Sequence, residues 1–171
     1  MKKVIVVPYD PQWAREFERI AAELWRALGD CALAIEHVGS TSVEGLSAKP
    51  VIDIDVVMRD YHSFEAIKER LAQIGYEHEG DLGIKERHAF KYGEKPHLMK
   101  HHLYVCPAYS AELQRHLAFR DYLRAHPQDR DWYGAVKTLA AARYPEDIDR
   151  YMVAKSPCAV EIIRRSGQSP P

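Results

Sequence analysis

HVGSTSVEGLSAKPVIDIDVV, His37 to Val57, places a Gly-Ser turn ahead of an apolar strand that carries two aspartates. The alternation Ile52, Asp53, Ile54, Asp55, Val56 has a period of two. A strand would therefore send both carboxylates to one face and the apolar side chains to the other. Two hard oxygen donors side by side suit Mg²⁺, which takes one or two carboxylates, water and substrate phosphate oxygens in preference to an all-protein cage. Upstream, Ala34 to Val38 reads as a second strand ending at Gly39-Ser40-Thr41. Glycine lets the backbone approach a ligand closely, and a sharp turn offers N–H groups and hydroxyls to a phosphate. An isolated Asp-x-Asp also occurs on solvent-facing edge strands with no function attached. Here the apolar flanks mark a central strand, where charged groups face a cleft or a cation, and the Gly-Ser turn precedes it at a suitable distance.

This order of strand, Gly-Ser turn and Asp-bearing strand resembles the signature of the DNA polymerase beta-like nucleotidyltransferase superfamily. HVGSTSVEGLSAKPVIDIDV more specifically resembles the GrpB family. The likeness continues through PYDPQWAREFERI, HHLYV, FRDYLRAHP and the segments around Lys137 and Lys155, nearly the whole chain. It implies an α+β protein with a nucleotidyltransferase-like mixed sheet, helices on one side and a C-terminal helical region. It also implies nucleotidyl transfer from a nucleoside triphosphate to an unidentified acceptor, dependent on Mg²⁺ or another divalent cation. Asp53 and Asp55 would be the metal ligands, with Gly39, Ser40 and Thr41 at the phosphates. Lys49, in the family's Ala-Lys-Pro, and Lys137 and Lys155 would contact the triphosphate. Some bacterial dephospho-CoA kinases carry a similar domain at their C-terminus. A second reading is therefore an inactive nucleotide- or phosphate-binding module that assists such a partner enzyme. A third is a metal-dependent phosphohydrolase in which the two aspartates and His102 activate water.

The superfamily carries a third acidic group on a later strand, and no such residue is legible here. The strand in its place reads His101 to Cys106, and period-two alternation turns His102 and Tyr104 toward the aspartates. The GrpB pattern commonly has a second histidine where Tyr104 stands. Imidazole can serve as base or ligand, so His102 is a catalytic candidate; it can equally pair with an aspartate and catalyse nothing. Arg120 and Arg124 share a helix face at i and i+4, where they would meet a phosphate chain or form surface salt bridges. Spacing alone leaves Lys137 and Lys155 as amphipathic lysines.

Around these motifs, Lys3 to Val7 reads as a short strand and Asp10-Pro11 as a helix start. Trp13, Phe17, Ile20, Leu24 and Leu28 predict a helix closed by Gly29. Val51 to Met58, Tyr76 to Glu79, Arg87 to Tyr92 and His101 to Cys106 read as strands, and Ser63 to Ile74 as a helix, giving four to six strands in one mixed sheet. From Ser110 the pattern is helical: Ser110 to His126, Asp131 to Arg143 and Glu146 to Arg165, with Pro157 restarting a short second helix. The chain reads as one domain, residues 1–171, with an αβ core (1–108), a helical region (109–166) and a tail (167–171).

Composition bounds the rest. With 171 residues and 46% hydrophobic content the chain can bury an ordinary core. A net charge of −1 provides no electrostatic footprint for general nucleic-acid binding. The start MKKVIVVPYD has four consecutive apolar residues, too few for a signal-peptide core or a membrane span, so a cytoplasmic protein is expected. Cys31, Cys106 and Cys158 form no C-x-x-C arrangement and indicate neither a disulfide framework nor a zinc knuckle. His97, His101, His102 and Cys106 likewise match no closed zinc spacing.

Overall fold

The computed structural model describes residues 3–171. The Asp10 carboxylate accepts the Gln12 N–H at 2.9 Å, opening α1 (Gln12–Leu28), and Gly29 ends it at φ 53°. Then come β1 (Ala34–Val38), β2 (Ile52–Met58), α2 (Phe64–Gln73), β3 (Tyr76–Gly80), β4 (His88–Tyr92) and β5 (His101–Pro107). Three helices complete the chain: α3 (Ala111–Ala125), α4 (Pro127–Arg143) and α5 (Ile148–Arg165). The strand order is β1-β2-β5-β4-β3, with β2 and β5 parallel and every other pair antiparallel.

Flanked on both sides, β2 lies inside the sheet, and its two faces have different fates. Ile52, Ile54, Val56 and Met58 are fully buried against Leu24 and Leu28 of α1 and Ile67 and Leu71 of α2, forming the main core. Ile54→Ala is expected to lower stability by about 2–5 kcal/mol, because the packed site cannot collapse around the lost atoms. Urea titration of both variants should check this, with Val153→Ala, at a position 73% exposed, within about 0.5 kcal/mol of the parent.

The opposite face of β2 carries Asp53, Asp55 and Val57. The β2–β5 register sets His102, Tyr104 and Cys106 directly beside them. Helix α3 covers only the far end of this face, where Leu113 packs on Val57 and Cys106. The C-terminal helices thus pack on the face opposite α1 and α2, so helices lie on both sides of the sheet and not on one. The near end, at Asp53 and His102, is left to the turn after β1 and to α4 and α5. A second apolar cluster joins Val43 and Leu46 to Leu123, Tyr133, Cys158 and Ile162, tying the segment between turn and β2 to all three C-terminal helices.

Three expected elements differ. Lys3 to Val7 is not a strand: Val4 donates its N–H to the Pro145 carbonyl and Val7 forms an isolated bridge with Ala48. Two single-residue partners on separate elements cannot make a ladder. Helix α4 begins at Pro127 rather than Asp131, since proline at the first helical position sacrifices no hydrogen bond. Helix α5 runs through Pro157 without a break. The carbonyl that Pro157 leaves without a helical donor belongs to Val153, a solvent-exposed residue, where water can serve instead. Among the described residues, no helix is long and apolar enough to cross a membrane.

Candidate functional site

The turn after β1 is built around Gly39, at φ 71° and ψ −174°. A Cβ placed there would stand 3.1 Å from both Cβ and Cγ of Asp53, and closer still to its Oδ2. The bare glycine backbone thus lies directly on the carboxylate. Ser40–Ser42 then form a 3₁₀ turn, closed by Ser42, whose Oγ donates to the Gly39 carbonyl at 2.5 Å. Thr41 Oγ1 lies 2.9 Å from His37 Nε2 and donates to the Val51 carbonyl at 3.4 Å, so the imidazole nitrogen supplies the other hydrogen. Burial pushes His37 down to about 4, and the ring stacks on Phe17 as a neutral strut beneath the turn.

Next to this turn is a cavity of ≈ 190 Å³ lined by Ser40, Thr41, Lys49, Asp53, His102, Tyr133, Lys137, Tyr151 and Lys155, among others. Residues named from sequence thus converge from the turn, β2, β5, α4 and α5. Asp53 Oδ1 is 2.8 Å from His102 Nδ1, with 32% of the aspartate side chain and 48% of the imidazole side chain exposed. Lys137 is only 2% exposed and its Nζ has no hydrogen-bond partner among the described residues; it lies 4.5 Å from the centre of the Tyr133 ring. Burial, reinforced by the charge on Lys155 and opposed by Asp53, lowers its pKa to about 7. Lys155 donates to the Tyr133 hydroxyl at 3.4 Å, and Lys49 sits over Tyr151. Burial pulls both of these amines below the usual lysine range as well.

Arg120 is not brought to the cavity. Its Nη1 lies 2.7 Å from Glu36 Oε2 and 3.2 Å from the His37 carbonyl, and its Nε lies 2.8 Å from Asp121. Arg124 braces the turn from outside, giving two hydrogen bonds to the Ser42 carbonyl. Asp55, two residues along from Asp53 on the same face, is fully buried beneath α3. Its Oδ2 lies 2.6 Å from His116 Nδ1, and His116 Nε2 lies 3.1 Å from Glu112 Oε1. Burial of His116 opposes its charged form, yet the hydrogen bonds to Asp55 and Glu112 outweigh it and lift the pKa to about 10. Glu112, bonded to His116 and Arg115, falls to about 2 despite its burial.

His116, Glu112 and His37 escaped the sequence reading. The i, i+4 spacing of Glu112 and His116 on a helix was visible, but their link to Asp55 exists only once α3 folds across β2. The third acid expected on a later strand is absent from β5, where His102 pairs with Asp53 and Tyr104 with Asp55. Instead, the Arg87 guanidinium lies 4.4 Å from the centre of the Tyr104 ring.

Residues 3–165 match the family described as GrpB protein. The chain belongs to the GrpB family. UPF0157 protein YqkA of Bacillus subtilis (strain 168) is 34% identical over 154 residues. That match covers 90% of this chain and 44% of YqkA, so the chain spans less than half the length of that relative. The crystal structure of the conserved protein GrpB from Enterococcus faecalis superposes with a TM-score of 0.80 at 34% identity, covering 96% of this chain and 100% of the other. The MgGTP-bound crystal structure of the Cid1 poly (U) polymerase gives a TM-score of 0.55 at 13% identity, over 77% of this chain and 43% of that one. At that identity the likeness concerns the fold, which for this GrpB protein is nucleotidyltransferase-like.

The donors of this GrpB site fit a magnesium ion held jointly with a ligand. Asp53 lines the cavity; Asp55 does not line it and is fully buried, with Oδ1 left without a hydrogen-bond partner among the described residues. Among the described residues no group of three His, Cys, Asp or Glu side chains is placed to cage a metal. Phosphate oxygens and water would have to complete the shell, which is how Mg²⁺ is usually bound.

Proposed function

We propose that this protein binds a nucleoside triphosphate in the lysine-lined cavity and transfers its nucleotidyl group to an acceptor. The observation that carries this reading is Lys137. An amine with almost no exposure and no partner, accompanied by Lys49 and Lys155 and faced by the single carboxylate of Asp53, is a cavity awaiting anionic charge. A triphosphate supplies that charge, and the turn at Ser40 and Thr41 supplies donors at the same wall.

In this reading Lys49, Lys137 and Lys155 hold the phosphates, and the turn fixes their position. Asp53 and the Oδ1 of Asp55 would hold Mg²⁺ together with phosphate oxygens, and the ion would supply counter-charge to the phosphates. His102, poised by Asp53, takes the proton of the acceptor as its oxygen or nitrogen attacks the α-phosphorus and pyrophosphate leaves with the bonding electron pair. His102 also lines a second cavity of ≈ 510 Å³ along β4 and β5, together with Ala89, Lys91, Lys100 and Tyr104. That cavity offers the acceptor an approach.

Calorimetry with ATP, GTP, CTP and UTP should show Mg²⁺-dependent binding that weakens at least tenfold in Asp53→Asn. Equal affinity with and without metal argues against the site. Triphosphates labelled at the α-phosphate, incubated with cell extract, separate the chemistries. Pyrophosphate release with a labelled acceptor supports transfer. Binding without turnover supports a nucleotide- or phosphate-binding module that assists a partner enzyme such as a dephospho-CoA kinase, and release of phosphate without a labelled product supports a phosphohydrolase.

A further inference from the structure

Another cavity, of ≈ 600 Å³, adjoins the same turn and has Tyr9, His37, Thr41, Glu44, Arg124 and Arg130 in its lining. Thr41 is the residue it shares with the lysine-lined cavity. Arg124, from α3, gives Nε and Nη2 to the Ser42 carbonyl at 3.0 and 2.7 Å. Anchoring to a carbonyl orients a guanidinium without cancelling its charge. Among the described residues Arg124 forms no ion pair, whereas Arg120, one helical turn earlier, is balanced by Glu36 and Asp121. Arg130, from α4, gives Nη1 to the Glu44 carbonyl at 3.3 Å and Nε to Asp131 at 2.9 Å. The Asp131 side chain is 65% exposed, so water screens that pair. Gly45, at φ 81°, makes room for Arg130, since a Cβ there would stand 2.9 Å from its Nη1. The loop from Ser42 to Gly45 thus holds guanidinium groups from two helices by backbone contact.

We infer that this cavity is a separate anion site, which takes the phosphate group of a small molecule between Arg124 and Arg130. A guanidinium presents its N–H donors as a fork that meets phosphate oxygens two at a time. The bonds to Ser42 leave Nη1 of Arg124 without a partner among the described residues. Glu44, the carboxylate in the lining, is exposed and pairs with neither arginine, so it can turn to water as a ligand enters. A phosphate dianion balances two guanidinium groups, which a single carboxylate does not. The concave wall suits a small molecule, of which the arginines hold the charged end. This site does not depend on what fills the lysine-lined cavity.

The arginine Nε–H signals in ¹H–¹⁵N spectra of the full chain read this directly. Titration with inorganic phosphate at constant ionic strength should shift Arg124 and Arg130 along one saturating curve and leave Arg120 unmoved. Arg124→Gln should weaken that curve at least tenfold, as followed at Arg130. Gly45→Ala, which displaces Arg130, should weaken it as followed at Arg124. Signal dispersion establishes that each variant is folded, and the wild-type titration decides without either. Shifts that sodium chloride reproduces are screening and overturn the site. Acetate binding as tightly as phosphate overturns the phosphate assignment. Unmoved Arg124 and Arg130 signals, with shifts confined to the backbone of Gly39 and Ser40, overturn this site and leave the triphosphate reading standing.

Discussion

Lys137→Met should give a protein that is more stable than its parent and has lost its affinity for Mg²⁺ and ATP. The amine is 2% exposed and unpartnered, and its pKa falls from 10.5 to about 7, chiefly through burial and then through the charge on Lys155. The folded state therefore binds the proton less well than the unfolded chain, and folding pays for the difference. Below pH 7 both states are protonated and the full penalty applies. It shrinks as pH rises between 7 and 10.5, and above that window both states are neutral and it vanishes. At 1.36 kcal/mol per pKa unit the penalty is on the order of 5 kcal/mol before relaxation. Methionine keeps the unbranched stem and removes the charge. Urea titrations should place the variant about 2–4 kcal/mol above wild type at pH 6.5, with the gap closing toward pH 10.

A bound polyphosphate changes the balance by giving the ammonium its counter-charge. ATP binding at pH 8 should then draw a proton onto the protein, seen as a calorimetric enthalpy that varies with the ionisation heat of the buffer. Affinity should fall as pH rises above 7, and both effects should be absent from Lys137→Met. A variant less stable than wild type, with ATP binding intact, would mark Lys137 as an ordinary amphipathic lysine and remove the main support for the triphosphate site.

The lysine also illustrates what could be read before folding. Alternation along Ile52 to Val56 was enough to put Asp53 and Asp55 on one face, and the same rule turned His102 toward them, because strand geometry is local. Lys137 and Lys155 were singled out only through likeness to a family, since nothing within their helices distinguishes a cavity-lining amine from a solvated one. Asp55 shows where the local rule ends. Its face was predictable, but its burial depends on α3 crossing the sheet 61 residues later in the chain to deliver His116. Arg120 shows the same limit: its partner Glu36 lies 84 residues away, and helical spacing cannot choose between a phosphate and a carboxylate. The segment Lys3 to Val7 has a strand-like pattern, yet it finds single partners on two elements rather than a neighbouring strand.

Gly39→Ala should abolish nucleotide binding, and a comparison with Gly80→Ala isolates the cause. Both glycines have positive φ, 71° and 87°, so either substitution carries a backbone cost. At Gly39, with ψ at −174°, the conformation belongs to a region almost confined to glycine, and the cost is about 1–3 kcal/mol. The surroundings differ sharply. A Cβ at Gly80 meets nothing within 4 Å, whereas at Gly39 it meets the Asp53 carboxylate and its Cβ. Asp53 sits on a central strand whose alternate residues are locked in the core, so the backbone of β2 cannot retreat. Either the carboxylate rotates off His102 or the turn lifts away from β2. The first misplaces the metal donor and the second moves Ser40 and Thr41, so both routes end in a site that no longer matches its ligand. Gly80→Ala should show the loss of stability alone and bind ATP as wild type does. If Gly39→Ala folds and binds ATP and Mg²⁺ normally, close apposition of the turn to Asp53 is not what builds the site.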